Sequence, residues 1–197
     1  MAEPAVQITE WARARKVGSA PGDGILLARL AEDDEAALDA LLDRYWRVLV
    51  RYAIRRTGSH DAACDIAQDV FCTLWSRRGS LRPDGSVRAL LFRMAHNLTV
   101  TRFRRQRARR RAVNGYAERW TGTATPKPAE RAEMNAAIEH AISLLPARRR
   151  EVFLLRMMDD LSYEEIAAVM GTSRQTVANQ LSRALATLRP ALAHLLD

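Results

Sequence analysis

Leu38, Leu41, Leu42, Tyr45, Leu49 and Tyr52 recur at intervals of three and four, the spacing that gathers apolar side chains on one helical face. The same spacing returns in Ala63, Ile66, Ala67, Val70, Phe71 and Leu74, and again in Val87, Leu90, Leu91, Met94, Ala95 and Leu98. Gly58-Ser59 and Pro83-Asp84-Gly85 punctuate these runs. No stretch alternates with period two long enough to predict a strand. Residues 22–111 therefore read as a helical bundle, with 1–21, which lack sustained periodicity, as a flexible N-terminal extension.

Residues 112–129 (AVNGYAERWTGTATPKPA) carry two Gly, two Pro and three Thr and no helical stripe, and read as a flexible linker. Fully extended at ~3.3 Å per residue, they would span about 60 Å. Periodicity resumes at Met134, Ile138, Ala141, Ile142 and Leu145, and Pro146 ends that helix. Further helices are predicted at Arg148–Met158, Ser162–Met170 and roughly Arg174–Leu188, in a second domain spanning 130–197. The expected fold is all-α, two helical domains joined by a flexible linker.

The C-terminal pattern is the more specific. Ser162-Tyr-Glu-Glu165 forms a capping box, in which the serine hydroxyl and glutamate carboxylate each satisfy a backbone donor at the helix start. Gly171 supplies the left-handed residue that ends the short helix. Ile166, Ala167 and Met170 would face Val177, Leu181 and Leu185 across a shared core. A capped short helix, a glycine turn and a longer helix make a helix-turn-helix, whose second helix lies in the DNA major groove. Its outward positions are Arg174, Gln175, Asn179, Ser182 and Arg183. Asn and Gln can address adenine, and Arg can address guanine or phosphate.

Charge sharpens this picture. The net charge is +8, from 31 basic and 23 acidic residues. The segment Arg102–Arg111 (RFRRQRARRR) holds seven of the basic residues and no acid, so basicity is concentrated there and the rest is nearly neutral. Such density points to nucleic acid or an anionic membrane surface, and the absence of apolar anchors in the run disfavours the membrane. On the Asp61–Trp75 helix the apolar stripe leaves Asp61, Asp65, Gln68 and Asp69 together on an acidic face, suited to a basic partner.

Other chemistries find little support. His60, Cys64, Cys72 and His96 do not converge on a metal, since Cys72 is rotated roughly 80° from Cys64 on an ideal helix. The acid pairs Asp33-Asp34, Asp159-Asp160 and Glu164-Glu165 are adjacent and therefore splayed. No Walker loop, nucleophile elbow or glycine-rich phosphate cradle is present. The chain is expected to be no enzyme and to carry neither cofactor nor metal. Two cysteines without a disulfide framework, no secretory signal and no apolar run near ~20 residues suggest a cytoplasmic protein without membrane insertion.

Three segments, in order, resemble the bacterial sigma-70 family, and in particular its small two-domain extracytoplasmic-function group. LPARRREVFLLRMMDDLSYEEIAAVMGTSRQTVANQLSRALATLR is similar to region 4, which reads the −35 promoter element. DAACDIAQDVFCTLW resembles region 2.2, which docks on the polymerase β′ clamp helices, and SVRALLFRMAHNLTVTRFRRQRARR resembles regions 2.3 and 2.4, which melt and read the −10 element. The resemblance implies a sigma factor that binds core RNA polymerase, on the β′ clamp helices and β flap, and directs initiation at a restricted class of promoters. It also implies an anti-sigma partner. Asp61, Asp65, Gln68 and Asp69 would then contact core polymerase, and Asn97, Thr101, Arg102, Arg104 and Arg105 the −10 DNA, on what reads as a helix pair broken near Asn97. Arg174, Gln175, Asn179, Ser182 and Arg183 would contact the −35 element. Thr101 stands where the family often has Asp or Asn, which leaves the −10 base preference open. The alternative is a stand-alone helix-turn-helix regulator that does not join polymerase. Such a regulator should carry a sensor or receiver half with alternating strands and helices, which residues 22–111 lack.

Overall fold

Capping chemistry sets the helix boundaries in a computed structural model that describes residues 21–81, 85–113 and 137–192. Every regular element among these residues is helical. The N-terminal half comprises α1 (Asp23–Ala31), α2 (Glu35–Thr57), α3 (His60–Ser76) and α4 (Val87–Val113), with a 3₁₀ turn at Arg78–Ser80. Asp34 caps α2 by accepting from the Ala36 amide, and Ser59 caps α3 by accepting from Ala62. Gly58 (φ 66°) closes α2 in the left-handed conformation that glycine adopts without a steric penalty. Asp23, in the first turn of α1, accepts hydrogen bonds from Arg44 and Tyr45 and ties α1 to α2.

The predicted stripes are the core. Leu41, Leu49 and Tyr52 from α2, Ala63, Ile66, Val70 and Leu74 from α3, and Val87, Leu91, Phe92 and Ala95 from α4 are all buried. Phe92 is completely buried and meets Tyr52 edge-on, with ring centroids 5.2 Å apart. A role for Phe92 at the protein surface is thereby excluded. Phe92→Ala should destabilise the protein by about 3–5 kcal/mol, because a filled site becomes a cavity. Urea unfolding of the full chain measures this, and a loss below about 1 kcal/mol would mean that the neighbouring helices collapse to refill the space.

The C-terminal half comprises α5 (137–143), α6 (Ala147–Met157), α7 (Tyr163–Met170) and α8 (Arg174–Leu192). The capping box is formed: the Ser162 hydroxyl accepts from the Glu165 amide, and the Glu165 carboxylate accepts from the Ser162 amide at 2.9 Å. Gly171 (φ 61°) makes the predicted left-handed turn. Between α6 and α7 the chain reverses through Asp160 (φ 50°), a short polar residue for which that conformation is tolerable.

Three expectations need correction. First, α4 is one helix through Asn97, not a pair broken there. No Gly or Pro interrupts residues 87–113, and the Thr99 hydroxyl donates back to the Ala95 carbonyl without breaking the helix. Second, α4 runs on to Val113, so the first two residues assigned to the linker are helical, while 114–129 lie outside the described residues. The extension assigned to 1–21 is likewise outside them, apart from Pro21. Third, Leu185 is exposed, and the buried series on α8 is Val177, Leu181, Ala184 and Leu188, at spacings of four, three and four. Ala184 falls on the stripe and Leu185 about 100° away from it.

The two halves are packed together. A single core cluster runs from Leu26 through Phe92 to Val152, Leu155, Ile166, Val177 and Leu181. A smaller second core, Ala141, Ile142, Leu145, Leu154, Ala184 and Leu188, joins α5, α6 and α8. The main contact between the halves is α4 against α7.

Candidate functional site

Each group of candidate residues occupies its own helix face. On α3, the buried stripe points to α2 and α4, and Asp61, Asp65, Gln68 and Asp69 all lie exposed on the opposite side. A surface of three carboxylates and one amide is an acceptor array, complementary to arginines or lysines and repelled by phosphate.

On α4, Asn97, Thr101, Arg102, Arg104 and Arg105 are all exposed along the turns that follow the buried Ala95. Phe103, in the middle of this set, is 40% exposed, leaving an aromatic face among the guanidinium groups. Cations next to an exposed ring can neutralise phosphate and stack an unpaired base. The acidic and basic faces are adjacent: Arg102 contacts Asp65 at 3.4 Å across the groove between α4 and α3. Both partners are well solvated, so the pair holds Arg102 only loosely.

On α8, Val177 and Leu181 anchor the helix to α7, and Arg174, Gln175, Asn179, Ser182 and Arg183 are all exposed. The Gln175 amide donates to the Asn179 side-chain oxygen at 3.1 Å, one turn apart, so the two amides present a joint hydrogen-bonding edge. Arg174 donates to Glu164 at 2.5 Å and lies over the Tyr163 ring. Backbone hydrogen bonding at the start of α7, then Arg174, holds the Glu164 carboxyl below the ordinary range. Arg174 is thus pinned at the start of α8, while Asn179, Ser182 and Arg183 project beyond it.

The candidate metal residues remain apart. His60 and Cys64 approach each other, Sγ to Nδ1 at 3.6 Å, and no third ligand joins them among the described residues. Both cysteines are free thiols. Among the described residues no helix is long and apolar enough to cross a membrane.

Sequence reasoning misses one cluster, which lies between the two halves. Glu151 of α6 accepts from Arg56 of α2 and lies 3.3 Å from the His96 ring of α4 and 3.4 Å from the Tyr52 hydroxyl. Asp159, almost completely buried, accepts from Arg55, and its backbone carbonyl accepts from Arg88. Burial alone would raise the Glu151 pKa, but the Arg56 charge, with hydrogen bonds from His96 and Arg56, brings it down to about 2. At Asp159 burial wins over the attraction of Arg55 and the carboxyl is pushed upward.

Comparison with known proteins gives the family. Residues 41–110 match the family Sigma-70 region 2, and residues 135–188 match Sigma-70, region 4. The ECF RNA polymerase sigma factor SigL of Mycobacterium tuberculosis is 31% identical, over 84% of this chain and 94% of its own. The RNA polymerase sigma-H factor of Pseudomonas aeruginosa is 30% identical, over 88% and 95%. Among solved structures, CnrH in complex with the cytosolic domain of CnrY superposes with a TM-score of 0.62 at 28% identity, covering 91% of this chain and 98% of that one. With region 2 followed by region 4 and no strand among the described residues, the stand-alone regulator is not favoured. The chain belongs to the sigma-70 family, in its extracytoplasmic-function group, and is a sigma factor that joins RNA polymerase and directs it to promoters.

Proposed function

We propose a division of labour among the three faces. The acidic face of α3 (Asp61, Asp65, Gln68, Asp69) docks core polymerase through the β′ clamp helices. The exposed side of α4 (Asn97, Thr101, Arg102, Arg104, Arg105) holds the −10 strands as they open. The outward side of α8 (Arg174, Gln175, Asn179, Ser182, Arg183) reads the −35 element in the major groove. The observation that carries this reading is the segregation of charge: carboxylates occupy one helix face and guanidinium groups the neighbouring one, each turned outward from a shared core. One protein can then meet a basic partner and an anionic one at the same time.

In this reading the domains are 22–111 for polymerase and −10 contacts and 130–197 for −35 contacts, and the chain works in the cytoplasm without a cofactor or catalysis of its own. CnrH is solved with the cytosolic domain of CnrY bound, which supports a protein inhibitor for this chain too, as an anti-sigma partner. Run-off transcription with core polymerase and genomic fragments, followed by mapping of start sites, tests the proposal. Start sites should cluster at a shared distance below a common pair of elements and vanish without this protein. DNA binding that is specific without core polymerase, and indifferent to its addition, would overturn it in favour of a stand-alone regulator.

A further inference from the structure

Arg174 is the first residue of α8, the position from which a helix lying in the major groove meets base edges. Its guanidinium is held on two sides before any DNA arrives. The Nε–H donates to a Glu164 carboxylate oxygen at 2.5 Å, and the guanidinium carbon lies 5.9 Å from the centre of the Tyr163 ring. Both holding groups belong to the opening turn of α7, which is itself fixed by the capping box of Ser162 and Glu165. Hydrogen bonding at that helix start also keeps the Glu164 carboxyl below its ordinary range and therefore charged. The other arginine of the same cleft, Arg156, is taken up by Asp160 at 3.0 Å and the Leu161 carbonyl at 3.2 Å. It does not compete for Glu164.

Which nitrogen is engaged decides what the side chain can still do. Arginine carries its N–H donors in a rigid planar fork. With Nε occupied by Glu164, the two terminal nitrogens remain, and together they can span the O6 and N7 acceptors of guanine end-on. A phosphate suits this arrangement less well. It is an anionic target that a mobile guanidinium finds unaided, and a carboxylate fixed beside the cation repels it. Guanine carries no net charge and offers two acceptors in fixed directions, so it favours a fork whose orientation is set in advance. In the free chain Arg174 and Glu164 are 66% and 65% exposed, and the pair alone adds little stability. Contact with DNA removes water from the pair and strengthens it.

We propose that Glu164 is a positioning residue that turns Arg174 end-on toward the major groove, so that Arg174 reads one guanine of the −35 element and is not a phosphate clamp. This inference rests on the assignment of α8 to that element. Tyr163 supports the same orientation from beneath the guanidinium. The Glu164 carboxylate has a second effect. It disfavours approach to DNA wherever Arg174 meets no guanine to offset the repulsion, so the pair discriminates against wrong base pairs as well as in favour of the right one.

The test is competition binding of holoenzyme made with the full chain, on promoters substituted singly at each −35 base pair, with a salt titration of each. Wild type should prefer guanine at one position by about 5- to 150-fold, the range of one bidentate base contact. Arg174→Lys keeps the charge and loses the fork, so the preference should vanish with the salt slope unchanged. Glu164→Ala should weaken the preference at that position alone by about 2- to 13-fold, the worth of ordering one long side chain. The disfavoured base pairs there should bind this variant as well as or better than wild type, since a carboxylate has left the DNA surface. Glu164→Gln, whose amide oxygen still accepts from Nε, should retain more of the preference than Glu164→Ala. A guanine preference that survives Arg174→Lys, or Glu164→Ala in a folded protein, would overturn the proposal. So would an Arg174→Ala variant that loses about 0.7–0.9 units of slope with the ranking of base pairs unchanged, the mark of a phosphate contact. If circular dichroism shows that Glu164→Ala loses helix, Glu164→Ser replaces it, since serine suits a helix start but is too short to reach Nε. If both lose helix, Arg174→Lys decides. A wild type that discriminates at −35 but favours guanine nowhere overturns the proposal and leaves α8 as the reader. Indifference of wild type to every −35 substitution would instead remove the assignment of α8 itself.

Discussion

Asp65→Arg with Asp69→Arg should abolish co-purification with core RNA polymerase while leaving helical content unchanged. Both carboxylates are exposed on α3, away from the buried stripe of Ala63, Ile66, Ala67 and Val70, so neither replacement disturbs packing. Exchanging two negative charges for two positive ones against a basic partner helix replaces attraction by repulsion, at a cost of several kcal/mol. That is about a hundredfold or more in affinity. Asp65 also contacts Arg102, and arginine at position 65 would set like charges side by side there. Two further variants separate the effects. Asp69→Arg acts on the proposed polymerase face without adding charge beside Arg102, and should itself weaken core binding by about tenfold. Asp65→Asn frees Arg102 without a repulsive neighbour, and should weaken core binding less than Asp69→Arg does. Core binding by the double variant at wild-type strength would remove α3 from the polymerase interface.

The three faces are legible in the sequence because each depends on one helix. On α3 the apolar residues fix the phase, and the positions of Asp61, Asp65, Gln68 and Asp69 follow from it. The helix-turn-helix is equally legible, since Ser162, Glu165 and Gly171 encode their own hydrogen bonds locally. The pattern misleads where local signals are ambiguous. The polar run around His96 and Asn97 resembles a boundary, yet α4 continues because its other face, Ala95 and Thr99, remains buried. Leu185 is the larger apolar residue and reads as core, but helical phase gives that position to Ala184.

The polar cluster between the halves is beyond sequence reasoning for a different reason. Arg56 and Glu151 lie 95 positions apart, and nothing within either helix marks them as partners. Arg55-Arg56 looks like an ordinary basic last turn, and Glu151 an ordinary polar residue among arginines. Tyr52 reads as core, but the polar end of its ring, which faces His96 and Glu151, carries no signature in the pattern. Periodicity reports which face of a helix is buried and is silent on what buries it.

The two helices proposed to meet DNA, α4 and α8, should answer differently to salt. Replacing Arg104 and Arg105 with alanine should weaken binding to every promoter and reduce the slope of log affinity against log salt by up to about two units. Every phosphate that no longer meets an arginine lowers the slope by roughly 0.7–0.9 units, because its counterions stay in place on binding. Both arginines are exposed on α4 beside Asn97 and Thr101, and replacing them removes charge without opening a cavity. Asn179→Ala should leave the salt slope nearly intact, because the side chain is uncharged, and should cost about 1–3 kcal/mol at one −35 position only. Its amide is joined to Gln175 at 3.1 Å, so Gln175→Ala should shift discrimination at the same or the adjacent base pair. Arg183→Ala separates two contacts that the exposed guanidinium could make: altered base preference marks groove reading, and a flattened slope with unchanged preference marks a phosphate. The measurement is a salt titration of holoenzyme made with each variant, on wild-type and singly substituted promoters. If Asn179→Ala leaves the ranking of −35 variants unchanged, α8 does not read bases at that position, and its affinity must come from phosphate contacts by Arg174 and Arg183 instead.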